Sequence, residues 1–201
     1  MRYARMSASR LTAIMVGLLI SLPISQSTAA PPDSPPGASA HAVRLSTATF
    51  RPGLGERPAI PPGLSISEYA PGQRGYYIVQ FSGPVRSEWK ADVEAHGAEL
   101  LEYLPDFAFK TRMTPGQAKR VNAVDSVSWV GFYQPAFKLR PNMLDDGGDG
   151  VYRLRVHRGA DAASARTKAV ATGARSLGGV GQTLVLRANS DRLQDLARIL
   201  E

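Results

Sequence analysis

Cysteine is absent from the 201 residues. No disulfide, thiolate metal site or cysteine nucleophile can therefore form. The absence does not oppose export, because 43% hydrophobic residues allow a packed core without covalent staples. Histidine is scarce, and none of His41, His96 and His157 stands in a nucleophile-base motif or at metal-ligand spacing. His41 falls in a Pro-rich tract and His96 closes a helix. His157 alternates with Arg153 and Arg155 and is expected to face solvent. A complete phosphate loop is lacking. Gly178-Gly179-Val180-Gly181 is followed by Gln182-Thr183 rather than Lys and Ser/Thr, so it reads as a hairpin turn. Asp145-Asp146-Gly147-Gly148-Asp149-Gly150 offers carboxylates among glycines but no Glu at the twelfth position of a Ca²⁺ loop, and reads as a linker between modules. No cofactor and no metal are expected.

Beyond the N-terminus, no stretch reaches the roughly 20 apolar residues of a membrane span. Residues 1–29 read as a signal peptide. Arg2, Arg5 and Arg10 form a basic start, Leu11–Ile24 an apolar stretch, and Ser27-Thr28-Ala29 a small-residue site for cleavage between Ala29 and Ala30. The expected location is secreted or periplasmic, with no stable membrane span after cleavage. Removing three arginines lowers the formal charge from +7 to +4, so charge gives nucleic-acid binding little weight. Residues 30–72 are rich in Pro, Gly and Ser and too sparse in apolar side chains for a core. They are expected to form a disordered linker.

Residues 73–140 carry the clearest pattern. Tyr76–Phe81 is a β-branched and aromatic run bounded by glycines. A helix beginning at Pro84 carries Val85, Trp89 and Val93 on one face and stops at Gly97. Leu100–Met113 is too long for one strand and breaks at Pro105-Asp106. Thr114-Pro115-Gly116-Gln117 is a helix start with a capping box, followed by a stripe of Ala118 and Val121. Val127–Tyr133 closes a βαββαβ order, which predicts a ferredoxin-like module.

The pattern recurs at a period of about 75 residues. Tyr77, Val79 and Phe81 correspond to Tyr152, Leu154 and Val156. Ala118, Val121 and Val124 correspond to Leu193, Leu196 and Ile199. The α+β chain is thus expected to hold two tandem modules joined by 141–150, the second over 151–201. That second copy lacks a counterpart of Val127–Tyr133, which predicts an open sheet edge able to capture a strand or to self-associate. In the first module, alternation places Tyr77, Val79 and Phe81 in the core and Tyr76, Ile78 and Gln80 on the opposite face. That face is expected either to meet a partner or to be covered by the second module or the Pro-rich tract.

The ordered set Tyr77–Phe81, Gly97-Ala98, Tyr103-Leu104-Pro105, Phe107–Met113, Thr114-Pro115 and Val127–Gly131 resembles the N-terminal prosegments of secreted subtilisin-like serine peptidases. The resemblance is strongest over 75–140. It implies a ferredoxin-like inhibitor and intramolecular chaperone whose open sheet face packs on the peptidase. The segment after the last strand, here Gln134, Pro135, Ala136 and Phe137, would enter the cleft. The chain has no Asp-Thr-Gly, His-Gly-Thr or Gly-Thr-Ser-Met-Ala block, so it is not expected to be such a peptidase. The implied role is non-catalytic: to bind, and inhibit or help fold, a subtilisin-like peptidase, either in cis within a longer precursor or in trans. The alternative is an exported interaction or assembly domain with no peptidase partner. Nucleic acid is not an expected partner, since Arg153, Arg155, Arg158 and Arg187 form a loose patch without stacking aromatics.

Overall fold

The computed structural model describes residues 41–140, 143–144 and 147–199. The expected signal peptide with its cleavage site at Ala29 and Ala30, the first part of the Pro-rich tract, and Asp145-Asp146 lie outside the described residues. From His41 onward the expected linker is instead an ordered strap. Its strands β1 (Val43–Arg44) and β2 (Thr49–Phe50) pair antiparallel with Val43 opposite Phe50. A 3-10 turn follows at Pro52–Leu54. The prolines remove backbone donors and preset φ, so little regular pairing forms beyond the hairpin.

The first module begins with β3 (Gly75–Phe81), buried along its whole length. Next come α1 (Ser87–Ala95), β4 (Glu99–Leu104), β5 (Ala108–Met113), α2 (Pro115–Val121) and β6 (Val127–Phe132). The four strands form an antiparallel sheet in the order β4-β5-β3-β6. The first helix starts three residues after the expected Pro84, with Arg86 at its N-cap. Gly97 follows its C-cap at φ 99°, a left-handed value that glycine adopts without strain. The capping box forms as expected. Thr114 Oγ1 accepts from Gln117 N at 3.3 Å, and Gln117 Oε1 accepts from Thr114 N at 2.7 Å. Both helices pack on one sheet face, where Val93, Ala118 and Val121 meet Tyr77, Val79 and Phe81.

The second module repeats the element order as β7 (Asp149–Arg155), α3 (Ala162–Ala171), β8 (Arg175–Val180), β9 (Thr183–Asn189) and α4 (Leu193–Arg198). Its antiparallel sheet has the order β7-β9-β8. The residues matched across the repeat play matching parts. Leu193 and Leu196 are buried in the second core and Ile199 packs against it, as Ala118, Val121 and Val124 do in the first. The chain is thus a mixed α+β protein of antiparallel sheets. Among the described residues no helix is long and apolar enough to cross a membrane.

Candidate functional site

Of the two arrangements expected for the Tyr76–Ile78–Gln80 face, the structure shows cover rather than an open surface. Tyr76 is 1% exposed, and Ile78 and Gln80 are 0% exposed. Alternation did place these side chains opposite the helices, but the strap lies over them. Val43 and Phe50 of the strap hairpin pack with Ile78, Leu104, Ala108 and Phe137, with Ile60 and Trp129 at the margin. The Phe50 ring meets Trp129 edge-on at 5.8 Å and stacks on Phe137 at 6.2 Å. Burying such aromatics outweighs the entropy of fixing a proline-stiffened segment, which is why so few apolar anchors suffice.

Polar ties fix the strap in register. Gln80 Nε2 donates to the carbonyls of His41 at 3.2 Å and Asp106 at 3.3 Å. Asp106 Oδ2 accepts from Arg44 Nε at 2.6 Å. Asp106 and Phe107 both stand at positive φ, 62° and 67°, so the turn that grips the strap is held in a costly conformation. At the other end Tyr69 reaches back to β3. Its hydroxyl accepts from Tyr76 N at 3.2 Å, and a Cβ on Gly75 would fall inside its ring. Burial pushes the Tyr69 hydroxyl up to about 12.

The expected cleft-facing tail is also packed away. Pro135–Lys138 forms a 3-10 turn with Pro135 and Phe137 buried. Gln134 clamps the strap backbone: its Oε1 accepts from Ile66 N at 2.7 Å and its Nε2 donates to Ile66 O at 3.1 Å. Replacing Gln134 with Ala strands both Ile66 groups. The expected loss is about 1–3 kcal/mol, read as a lower urea midpoint at unchanged slope. An unchanged midpoint would show that the clamp contributes nothing.

The rest of the first face meets the second module. His157, expected in solvent, tilts against Tyr76 at 4.3 Å and sits 6.4 Å from Tyr133. The strand ends at Arg155 and the chain then turns, so alternation no longer governs where His157 points. Its Nε2 is buried with no hydrogen-bond partner among the described residues. Burial, and then the charges of Lys110, Lys138 and Arg112, push the imidazole down to about 3. Lys110 is buried, donates to Glu102 at 2.7 Å and lies over the Tyr133 ring at 5.2 Å. Burial, with a smaller contribution from Glu102, pushes the Tyr133 hydroxyl up to about 12.

The second sheet contrasts with the first. Tyr152, Leu154, Leu184 and Leu186 turn toward its helices. The opposite face carries Val151, Arg153 and Arg155 of β7, with Arg187 opposite Val151 and Arg175 opposite Arg187. All four arginines are exposed, and none makes an ion pair or hydrogen bond among the described residues. While Arg158 lies beyond the end of β7, Arg175, which sequence reasoning missed, joins Arg153, Arg155 and Arg187 on this face. A register shift between Ser176 and Gly178 decides its place, and only the strand pairing reveals it. The outer edge of β7 has no neighbouring strand among the described residues.

The described residues hold no group of three or more His, Asp or Glu placed to bind a metal. Two clefts flank the strap. One of about 270 Å³ lies between it and Phe137–Leu144, and one of about 450 Å³ lies between it and Trp129–Phe132. Residues 44–134 match a family described as a domain of unknown function (DUF8729). No curated protein and no solved structure matches the chain. The matched span begins inside β1 and ends at Gln134, so it takes in the strap together with the sheet that the strap covers.

Proposed function

We propose that this chain is an exported, non-catalytic binding protein made of two ferredoxin-like modules, with a subtilisin-like serine peptidase as its partner. The sheet order β4-β5-β3-β6 supports the first module's assignment, because the last strand lies beside the first as that plan requires. The order β7-β9-β8 fills three of the same four positions. The resemblance to peptidase prosegments supports the partner. The binding would inhibit the peptidase or assist its folding.

The observation that carries this reading is the free edge of β7. At its two ends, Ser190 N donates to Gly148 O and Val156 N donates to Gln182 O. Antiparallel alternation then sends the bonds of Gly150, Tyr152 and Leu154 to β9, leaving the backbone of Val151, Arg153 and Arg155 pointing outward. An extended partner segment can pair there as a fourth strand. In this reading the contact runs through the second module, while Tyr76, Ile78, Gln80 and Gln134–Phe137 become available only if the strap lifts.

The test is a titration of the full chain against subtilisin-like peptidases, following both binding and turnover. Val151→Pro removes one outward N–H and leaves the β7–β9 bonds alone. It is expected to weaken binding by about tenfold or more. A Val151→Pro variant that binds like the parent would exclude the edge. The same edge also favours a second reading, assembly between copies of the chain. A concentration-dependent dimer abolished by Val151→Pro, with no peptidase bound, would establish that reading instead.

A further inference from the structure

The face of the second sheet is a different surface from its edge, and its chemistry is distinct. We propose that this face docks on an anionic phospholipid surface. Its residues follow from the register. Val151, Arg187 and Arg175 form one row across the strands, Arg153, Val185 and Gly178 the next, and Arg155, Thr183 and Val180 the third. Asp149, the one acid within the three strands, stands at the far end of β7, where Asn189 Nδ2 donates to it at 3.4 Å. The protein's basic excess gathers in this module. Asp149–Ile199 holds nine Lys and Arg against four Asp and Glu, a net +5, whereas Gly75–Gln134 holds six against seven, a net −1.

Two features favour lipid over other polyanions. Large apolar side chains are exposed among the arginines: Val151 at 57%, Leu177 at 45% and Val180 at 87%. Such side chains enter the headgroup region while guanidinium groups hold the phosphates, so the two contributions add. A nucleic-acid surface would instead offer aromatic rings for base stacking, and this face has none. Neighbouring strands lie about 4.8 Å apart, so the arginines form a flat array suited to a plane of headgroups.

The absence of cysteine makes the test direct. A Val180→Cys variant of the full chain, carrying an environment-sensitive dye, reports whether this face enters lipid. Leu54→Cys, exposed on the strap, is the control. The apolar, basic residues 1–29 could bring the chain to lipid by themselves, but they would not move the dye at position 180 out of water. With vesicles of phosphatidylcholine and phosphatidylglycerol, the Val180→Cys dye should shift to the blue and the Leu54→Cys dye should not. Vesicles of phosphatidylcholine alone, or high salt, should give no shift. Arg153→Gln with Arg187→Gln should weaken the docking about 25-fold, at about fivefold per arginine. No shift with anionic vesicles, or a shift unaffected by the arginine pair, would overturn the proposal. A stronger response to polyglutamate or to a single-stranded oligonucleotide would overturn it in favour of an acidic protein or a nucleic acid.

Discussion

Replacing Tyr76 and Ile78 together with aspartate is expected to destabilise the first module severely rather than to spare it. Had this face met a partner, one of the two expected arrangements, the pair of substitutions would merely spoil a docking surface. In the structure Ile78 is fully buried beneath Val43 and Phe50, and Tyr76 lies against His157. A carboxylate at position 78 would have no water and no partner. The loss is about 5 kcal/mol, of the size seen when a charge is buried unpaired. For a chain of this size that lowers the melting temperature by roughly 10–20 °C. Ile78→Val, which trims one methyl group, should lose only about 1 kcal/mol. Trypsin gives a second reading, because the bond after Arg44, which Leu45 follows in the strap, should be cut far faster once the strap is released. A double variant with native melting and native protease resistance would mean that the strap does not cover this face in solution.

Acid is expected to loosen the junction between the modules, and His157 is the group responsible. An unfolded chain protonates this ring near pH 6.5, whereas the folded protein holds it down to about 3. The sign follows directly. Above pH 6.5 both states carry the neutral ring and nothing is lost. As pH falls from 6.5 toward 3, the unfolded state gains a proton that the folded state refuses, so stability declines by about 1.4 kcal/mol per pH unit. Residual solvation of the half-buried ring makes that slope an upper figure. At pH 4.5 the loss approaches about 3 kcal/mol, or roughly 5–10 °C in melting temperature. His157→Phe keeps a ring against Tyr76 and removes the proton site. Melting scans at pH 7 and pH 4.5 should show a markedly smaller acid shift in the variant. Equal shifts would assign the acid sensitivity to other groups.

The parts of the fold legible from the sequence are those governed by local rules. The alternation of Tyr76–Phe81 sorted its side chains to the correct faces. The Thr114–Gln117 capping box formed as spelled out. The repeat placed Leu193 and Leu196 in a second core. Cover of this face by the Pro-rich tract is one of the expected arrangements, but the ordered hairpin within the tract is not legible, because its anchors, Val43, Phe50 and Ile60, are thinly spread among prolines and have no period. They bury themselves only against a surface built far downstream. His157 was misplaced because strand alternation was extended past the strand's last residue. Arg175 joined the basic face only through a register shift that no spacing announces.

The strap also carries force. Gly63 O accepts from Arg198 Nε at 2.7 Å, a bond spanning 135 positions, and Lys138 Nζ donates to Ile199 O at 2.6 Å. The strap and the turn after the first sheet are thereby both tied to the end of α4. A motor that threads the polypeptide from its N-terminal end must peel the strap before it loads β3. Peeling the strap removes the Arg198 bond as well. The helix α4 is therefore among the first elements to feel the pull, before the strands of the first sheet are drawn apart.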